Sequence, residues 1–336
     1  MSSESKIRLT RRDLLKALPM AAVLASCGRT PAPYNRADFT LGARSTVGLL
    51  AAPTYDVDFA DVISRGLKEL RVDVRDRSVL LKPNLVEYTP GTVINTHPLI
   101  VAGAATAFLR AGARQVVVGE APGHRRDIEY LLAVTGLSDH LREMRIRFVD
   151  LNHDDVGLVA LRSRFTGLDR LALPLELQRS DFIVSLPKLK THHWAAMTAS
   201  MKNFFGVVPG AVYGWPKNIL HYRGIDNSIL DLNATIRPHF AIVDAVVAME
   251  GDGPIMGKPR QTGFVAMGAD LVAVDATCAR IIGFDAAKIP YLSQASPFLG
   301  HIDESRIDHR GEDPARYRTR FDVLEYFRGL QLPGSG

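Results

Sequence analysis

The stretch Ser185–Gly210, SLPKLKTHHWAAMTASMKNFFGVVPG, places three lysines, two histidines and an asparagine directly behind the apolar run Phe182-Ile183-Val184. Side chains alternate in extended backbone, so Lys188, Lys190 and His192 are expected on one side. Two ammonium groups and an imidazole on one face repel each other unless an anion or protein carboxylates lie opposite. A carboxylate or phosphate is the natural counterpart. His192, with an ordinary pKa near neutrality, suits general acid or base catalysis. His193 faces the other way and reads as structural. Lys202 and Asn203 bring a further cation and amide towards the same place. Lys190, His192 and Lys202 are therefore the candidate catalytic residues.

Other polar residues follow other apolar runs. Lys82 and Asn84 come after Val79-Leu80-Leu81, Glu120 after Val116-Val117-Val118-Gly119, Asp244 after Phe240–Val243, and Asp270 after Gly263–Met267. Lys82, Asn84, Lys188 and Asn203 are the expected substrate contacts. Asp244, Glu250 and Asp252, separated by turn-forming glycines, suit a hard divalent cation such as Mg²⁺; alternatively they neutralise the lysines opposite. Asp270 suits a helix cap. Asp275, amid apolar residues, needs a partner if buried, with Lys82 or Lys202 expected. The glycine- and aromatic-rich stretch 209–217 reads equally as a flap over the site or as a packed surface loop. No Walker-type phosphate loop, dinucleotide glycine fingerprint, nucleophile elbow or His-Glu-x-x-His is present.

These residues need a scaffold, and the chain alternates strand runs with helical periods. Phe59, Val62, Ile63, Gly66 and Leu67 share a helical face behind Asp58. Pro98 opens a second helix that Gly112 closes. Ile225, Ile229, Leu232 and Ile236 form a stripe stopped by Pro238, and a helix from Asp270 to Ile282 ends at Gly283. The alternation predicts an α/β fold, a mostly parallel sheet flanked by helices, with a less regular inserted or second subdomain at about 145–180. Ligands of such sheets bind beyond the strand carboxyl ends, where the polar residues fall. The expected organisation is a signal at 1–27, a tether at 28–43, an α/β domain at 44–310, and a C-terminal helix and tail at 311–336.

The first 27 residues resemble a twin-arginine export signal ending in a lipobox: Thr10-Arg11-Arg12-Asp13-Leu14-Leu15-Lys16, a modest apolar run, then Leu24-Ala25-Ser26-Cys27. Cys27 would become the lipidated first residue. The expected placement is lipid-anchored at the cell envelope, on the periplasmic or extracytoplasmic face, with the export machinery and the membrane as partners. Residues 1–26 hold five basic and two acidic side chains. The remainder keeps 36 of the 41 basic and 34 of the 36 acidic residues, so its charge is near balance and no nucleic-acid partner is expected. No apolar stretch reaches the roughly 20 residues of a membrane-spanning helix. Besides Cys27 only Cys278 remains, so no cysteine-ligated iron-sulfur cluster is expected.

Several segments resemble, in order, the domain of unknown function 362 family. They are Lys82-Pro83-Asn84, Thr96-His97-Pro98, Leu186–His192, Met201–Gly206, Glu250–Pro254 and Gly268–Asp275. The resemblance covers roughly Val47 to Gly300. Members often carry a ferredoxin-type module, which implies electron transfer in some of them; this chain lacks the cysteines, so redox chemistry does not carry over. The leading expectation is an envelope-anchored enzyme acting on a small anionic substrate in a cleft lined by Lys, His and Asp, with a divalent metal as one option. The alternatives are a non-catalytic ligand-binding or cofactor-carrier lipoprotein, and a redox enzyme whose cofactor is loaded before export.

Overall fold

Twelve strands build the computed structural model, which describes residues 32–123 and 127–334. In chain order they are β1 (Ser45–Ala51), β2 (Ser78–Pro83), β3 (Gln115–Glu120), β4 (Arg147–Asp150), β5 (Val156–Ala160), β6 (Arg170–Pro174), β7 (Phe182–Leu186), β8 (Lys188–His192), β9 (Ala196–Thr198), β10 (Phe240–Glu250), β11 (Lys258–Gly268) and β12 (Ile307–Gly311). Ten form one sheet in the order β12-β1-β11-β10-β7-β2-β3-β4, with β8 on β10 and β9 on β8. The block β10-β7-β2-β3-β4 is parallel throughout. The β1–β11, β10–β11 and β8–β9 pairs are antiparallel, so the sheet is mixed but mostly parallel. β5 and β6 make a separate two-stranded antiparallel sheet within the irregular region.

Helices cover the sheet where the sequence periods place them. Phe59–Glu69 starts on the Asp58 carboxylate, which accepts from the Asp61 amide at 3.1 Å. Pro98–Arg110 packs against it; a Cβ at Gly103 would lie 2.4 Å from the Phe59 Cβ, so a glycine is required at this crossing. Ile225–Ile236 ends before Pro238, and Leu271–Ile281 begins at the Asp270 cap, which takes the Ala273 amide at 3.0 Å. Burying apolar side chains on both faces, at about 25 cal/mol per Å² removed from water, holds the layers together. Val79 and Leu81 of β2 join one core, Leu80 the other.

β2 is the hinge of the topology. The chain leaving it passes through Pro98–Arg110 to β3 on one side, whereas its other neighbour, β7, runs on into β8 beside β10. Diverging connections at these carboxyl ends open a crevice, the usual ligand position in such sheets.

Two expectations about boundaries change and a third is not reached by the structure. The signal at 1–27, with Cys27, lies outside the described residues. Of the expected tether, residues 34–43 include packed chain: Tyr34 stacks on Phe298 with centroids 3.9 Å apart, and Phe39 is buried. The expected C-terminal helix is replaced by the 3-10 turns Pro314–Tyr317 and Glu325–Leu330. That segment spends its amides on other elements, with Thr319 and Phe321 donating to the carbonyls of Ile281 and Ile282, and Leu332 to that of Gly283. No helix among the described residues is long and apolar enough to cross a membrane.

Candidate functional site

Lys82, at the end of β2, is fully buried. Its ammonium donates to both oxygens of Glu120 at the end of β3, at 2.6 and 2.7 Å, to the Pro83 carbonyl and to Asn203 Oδ1. Glu120 also accepts the Leu85 and Ala121 amides. Asn203 uses its remaining capacity on the Lys82 carbonyl, Ser185 Oγ and Asn84 Nδ2. Lys82 and Asn203 are thus saturated within the protein. Lys82, expected from sequence as a substrate contact, is not among the residues lining the cavity above, whereas Asn203 is. Asn84 Oδ1 is buried with no hydrogen-bond partner among the described residues. Gly206 closes over the ion pair, and a Cβ there would lie 2.6 Å from Lys82 Nζ and 2.7 Å from Glu120 Oε1.

Above this floor lies a cavity of about 180 Å³. One wall is β8 with β9, giving Lys190, His192 and Thr198; the other is Lys202, Phe205, Lys217 and His221; Pro254 and Ile255 close one side. Glu120 is the sole carboxylate among the described lining residues, and it already faces Lys82. Lys190, Lys202 and Lys217 therefore converge without an ion-pair partner among the described residues.

Their surroundings differ. Lys190 Nζ donates only to the carbonyls of Ile94 at 2.8 Å and Pro254 at 3.4 Å. Burial, aided by the positive fields of Lys202 and Lys188, pulls its pKa well below the ordinary lysine value. Lys202 is half-buried, makes no hydrogen bond among the described residues and lies 4.4 Å from the Phe205 ring centre. Burial and then Lys82 bring it to about 8, against a weaker pull from Asp226. Lys217 sits in left-handed backbone (φ 69°), donates to the carbonyls of Gly206 and Val208, and is brought by burial to about 7. The sequence signals Lys217 only as the end of the 209–217 stretch, where Pro216 also lines the cavity.

His192 is corrected in role. Its Nδ1 accepts the amides of Trp194 at 3.1 Å and Ala195 at 3.3 Å, so the proton resides on Nε2. Burial pushes the imidazolium form far below neutrality. The ring is a neutral N–H donor at ordinary pH, not an acid-base group poised near it. His193 lies at the rim, with Nδ1 3.6 Å from Asp252.

Lys188 does not join Lys190. It pairs with Asp244 at 2.6 Å, and Tyr55 OH and the Val247 carbonyl complete its shell. Tyr55 and the His97 amide fill the remaining Asp244 positions, and the Tyr55 and His97 rings stack at 3.7 Å. Simple alternation fails because β10 is irregular: Lys188 is opposite Asp244, yet Lys190 is opposite Met249, so two steps on β8 match five on β10. β10 also runs beyond Asp244 to Glu250, which makes Asp244 a mid-strand residue.

The three expected metal ligands therefore do not meet. Asp244 is held by Lys188, Glu250 accepts the Asp322 amide at 3.1 Å and lies 3.7 Å from Arg260, and Asp252 is at the rim beside His193. Among the described residues no group of three or more His, Cys, Asp or Glu is arranged to hold a metal ion. Asp275 finds neither expected lysine. It accepts the Ser200 and Met201 amides at 2.7 and 3.0 Å, and burial raises it to about 7.

Fold and cavity together define an α/β protein with a lysine-rich cleft at the carboxyl ends of its parallel strands. Residues 79–280 match the family model described as Domain of unknown function (DUF362), and the chain belongs to that family. A thylakoid-associated protein of Synechocystis sp. is 31% identical over 227 residues, which cover 64% of this chain and 66% of that relative, just under two thirds of its length. Two solved structures are more distant. A Thermotoga maritima protein is 14% identical, covering 68% of this chain and 59% of its own, with a TM-score of 0.40. The lactate racemase apoprotein of Thermoanaerobacterium thermosaccharolyticum is 13% identical, covering 73% and 59%, with a TM-score of 0.44. No statement about chemistry follows from either.

Proposed function

We propose that this protein is an enzyme acting on a small organic anion held in the cavity between β8 and the segment 202–221. The observation that carries the reading is the meeting of Lys202 and Lys217, beside the buried amine of Lys190, around one space whose only carboxylate among the described residues is already paired. Such an excess of positive charge in a low-dielectric pocket favours an anionic occupant. Lys202 and Lys217 hold the anion, His192 donates from Nε2, and Lys190 supplies an unprotonated amine. The Asn84 carbonyl oxygen accepts from a hydroxyl or amine on the ligand.

Calorimetric titration of a panel of small carboxylates and phosphate esters tests this. The wild-type protein binds at least one of them, and Lys202→Ala with Lys217→Met weakens that binding at least tenfold; unchanged affinity in the double variant rejects the reading. Turnover followed by NMR separates an enzyme from a carrier, since binding without conversion across the panel favours the carrier. Membrane placement through lipid on Cys27 is a separate part of the proposal and rests on the sequence Leu24-Ala25-Ser26-Cys27. A mature N-terminus other than modified Cys27, read by mass spectrometry on membrane-extracted protein, excludes it.

A further inference from the structure

Lys190 differs in kind from the other lysines that leave the parallel strands. Lys82 and Lys188 each face a carboxylate at 2.6 Å, whereas the Lys190 nitrogen meets only two backbone carbonyls. An ammonium has three N–H groups and no lone pair, so in that form one donor is left without a protein partner. A neutral amine gives its two N–H groups to Ile94 and Pro254 and keeps a lone pair. Burial and the surrounding cations Lys202, Lys188 and Lys82 favour that neutral form, against the opposing pull of Glu120. A desolvated lysine beside other cations is the usual setting of an amine nucleophile.

The neighbours supply what addition to a carbonyl requires. Lys190 is directly opposite Thr198 in the antiparallel β8–β9 pair, and His192 follows two residues along. Cross-strand partners and alternate residues share a face, and all three residues line the cavity. The Thr198 hydroxyl can pass a proton, and His192 Nε2–H can bond a carbonyl oxygen. Lys202 and Lys217 line the same cavity and offer positive charge to an anionic group. The cavity, of about 180 Å³, suits a compact molecule.

We propose that Lys190 forms an imine with its substrate, and that the substrate is a small aldehyde or ketone bearing a carboxylate or phosphate. The proposal rests on the anion-binding reading of the same cavity. The nitrogen lone pair forms the C–N bond, and one amine proton passes through the Thr198 hydroxyl to the carbonyl oxygen, which His192 holds. The C–O bond then breaks, the oxygen takes the second amine proton and leaves as water, and C=N remains. Amine plus carbonyl gives imine plus water, with no oxidant or other co-reactant. Once protonated, the imine draws electrons from the adjacent carbon and eases removal of a proton or carboxyl group there.

The test incubates the protein with pyruvate or dihydroxyacetone phosphate, with and without cyanoborohydride, followed by intact mass and peptide mapping. Calorimetry without reductant measures binding of the same two compounds, so the carboxylate and phosphate arms are read separately. The expected result is one reductant-dependent adduct per chain, on the peptide containing Lys190, formed at least tenfold faster than on any other lysine. Lys190→Gln removes it, and an adduct formed at the wild-type rate in that variant overturns the role of Lys190. If that variant does not fold, the map of the wild-type adduct still decides. Binding without an adduct overturns the imine and leaves anion binding standing. Adducts confined to Lys202, Lys217 or surface lysines overturn the role of Lys190. Absence of both binding and adduct overturns both readings.

Discussion

Lys188 and Lys190 stand two residues apart on one strand, both fully buried, and they do opposite things. Lys188 is neutralised by Asp244 and enclosed by Tyr55 and the Val247 carbonyl, so its positive charge is held in place. Lys190 has no carboxylate and faces a cavity with two further lysines. Burial lowers the pKa of both, but only Lys188 has a strong opposing field within hydrogen-bond distance. One strand thus carries a lysine in an ion pair and a lysine held only by backbone carbonyls among the described residues, and the identity of the residue does not distinguish them.

The largest expected effect breaks the Lys188 side of this contrast. Asp244→Ala leaves a buried ammonium without its counter-ion and costs on the order of 3–5 kcal/mol of stability by denaturant unfolding. Lys190→Met removes an amine that has no carboxylate partner among the described residues and is neutral or stabilising. Equal losses in the two variants end the distinction between the two lysines.

A smaller effect sharpens the cavity side through pH. Lys217 at about 7 and Lys202 at about 8 titrate below an unfolded lysine, whose value is roughly 10.4. The unfolded chain therefore binds more protons than the native one from about pH 7 to 10. By linkage, these two groups make stability rise with pH across that window. Anion affinity moves the other way and falls at least tenfold from pH 6.5 to 9, as both ammonium groups lose charge. Glu120, Lys82, Asp150 and Lys202 act on Lys217, and Lys82 and Asp226 on Lys202, so the wild type minus Lys217→Met difference reads Lys217 together with its interaction with Lys202. Affinity unchanged over that range by calorimetry removes both lysines from the anion site.

The smallest expected effect concerns how Lys202 is held. Phe205→Leu removes the ring 4.4 Å from its ammonium, an attraction of about 0.5–1 kcal/mol, and weakens ligand binding by about two- to fivefold. A larger loss, with melting unchanged, would give the ring a direct contact with the ligand.

The cavity wall was legible because local rules set it. A strand at 182–186 followed by Lys190, His192 and Lys202 is written in one continuous segment, and the helix limits at Asp58, Pro98, Pro238 and Gly283 follow from capping and proline sterics. Lys217 was not legible, since a lysine in a glycine- and aromatic-rich stretch carries no mark of burial. Nor was the role of His192, which depends on the two amides that Trp194 and Ala195 turn back onto its ring.

By itself the sequence determined the α/β alternation, the family and the strand ends where polar residues gather, because each rests on short-range periodicity or on motifs in order. Tertiary structure alone decided which charges cancel. Lys82 meets Glu120 38 residues away and Lys188 meets Asp244 56 residues away, and an irregular register on β10 sends Lys188 and Lys190 into different surroundings. Charge pairing and desolvation depend on distances in space, which sequence spacing does not contain.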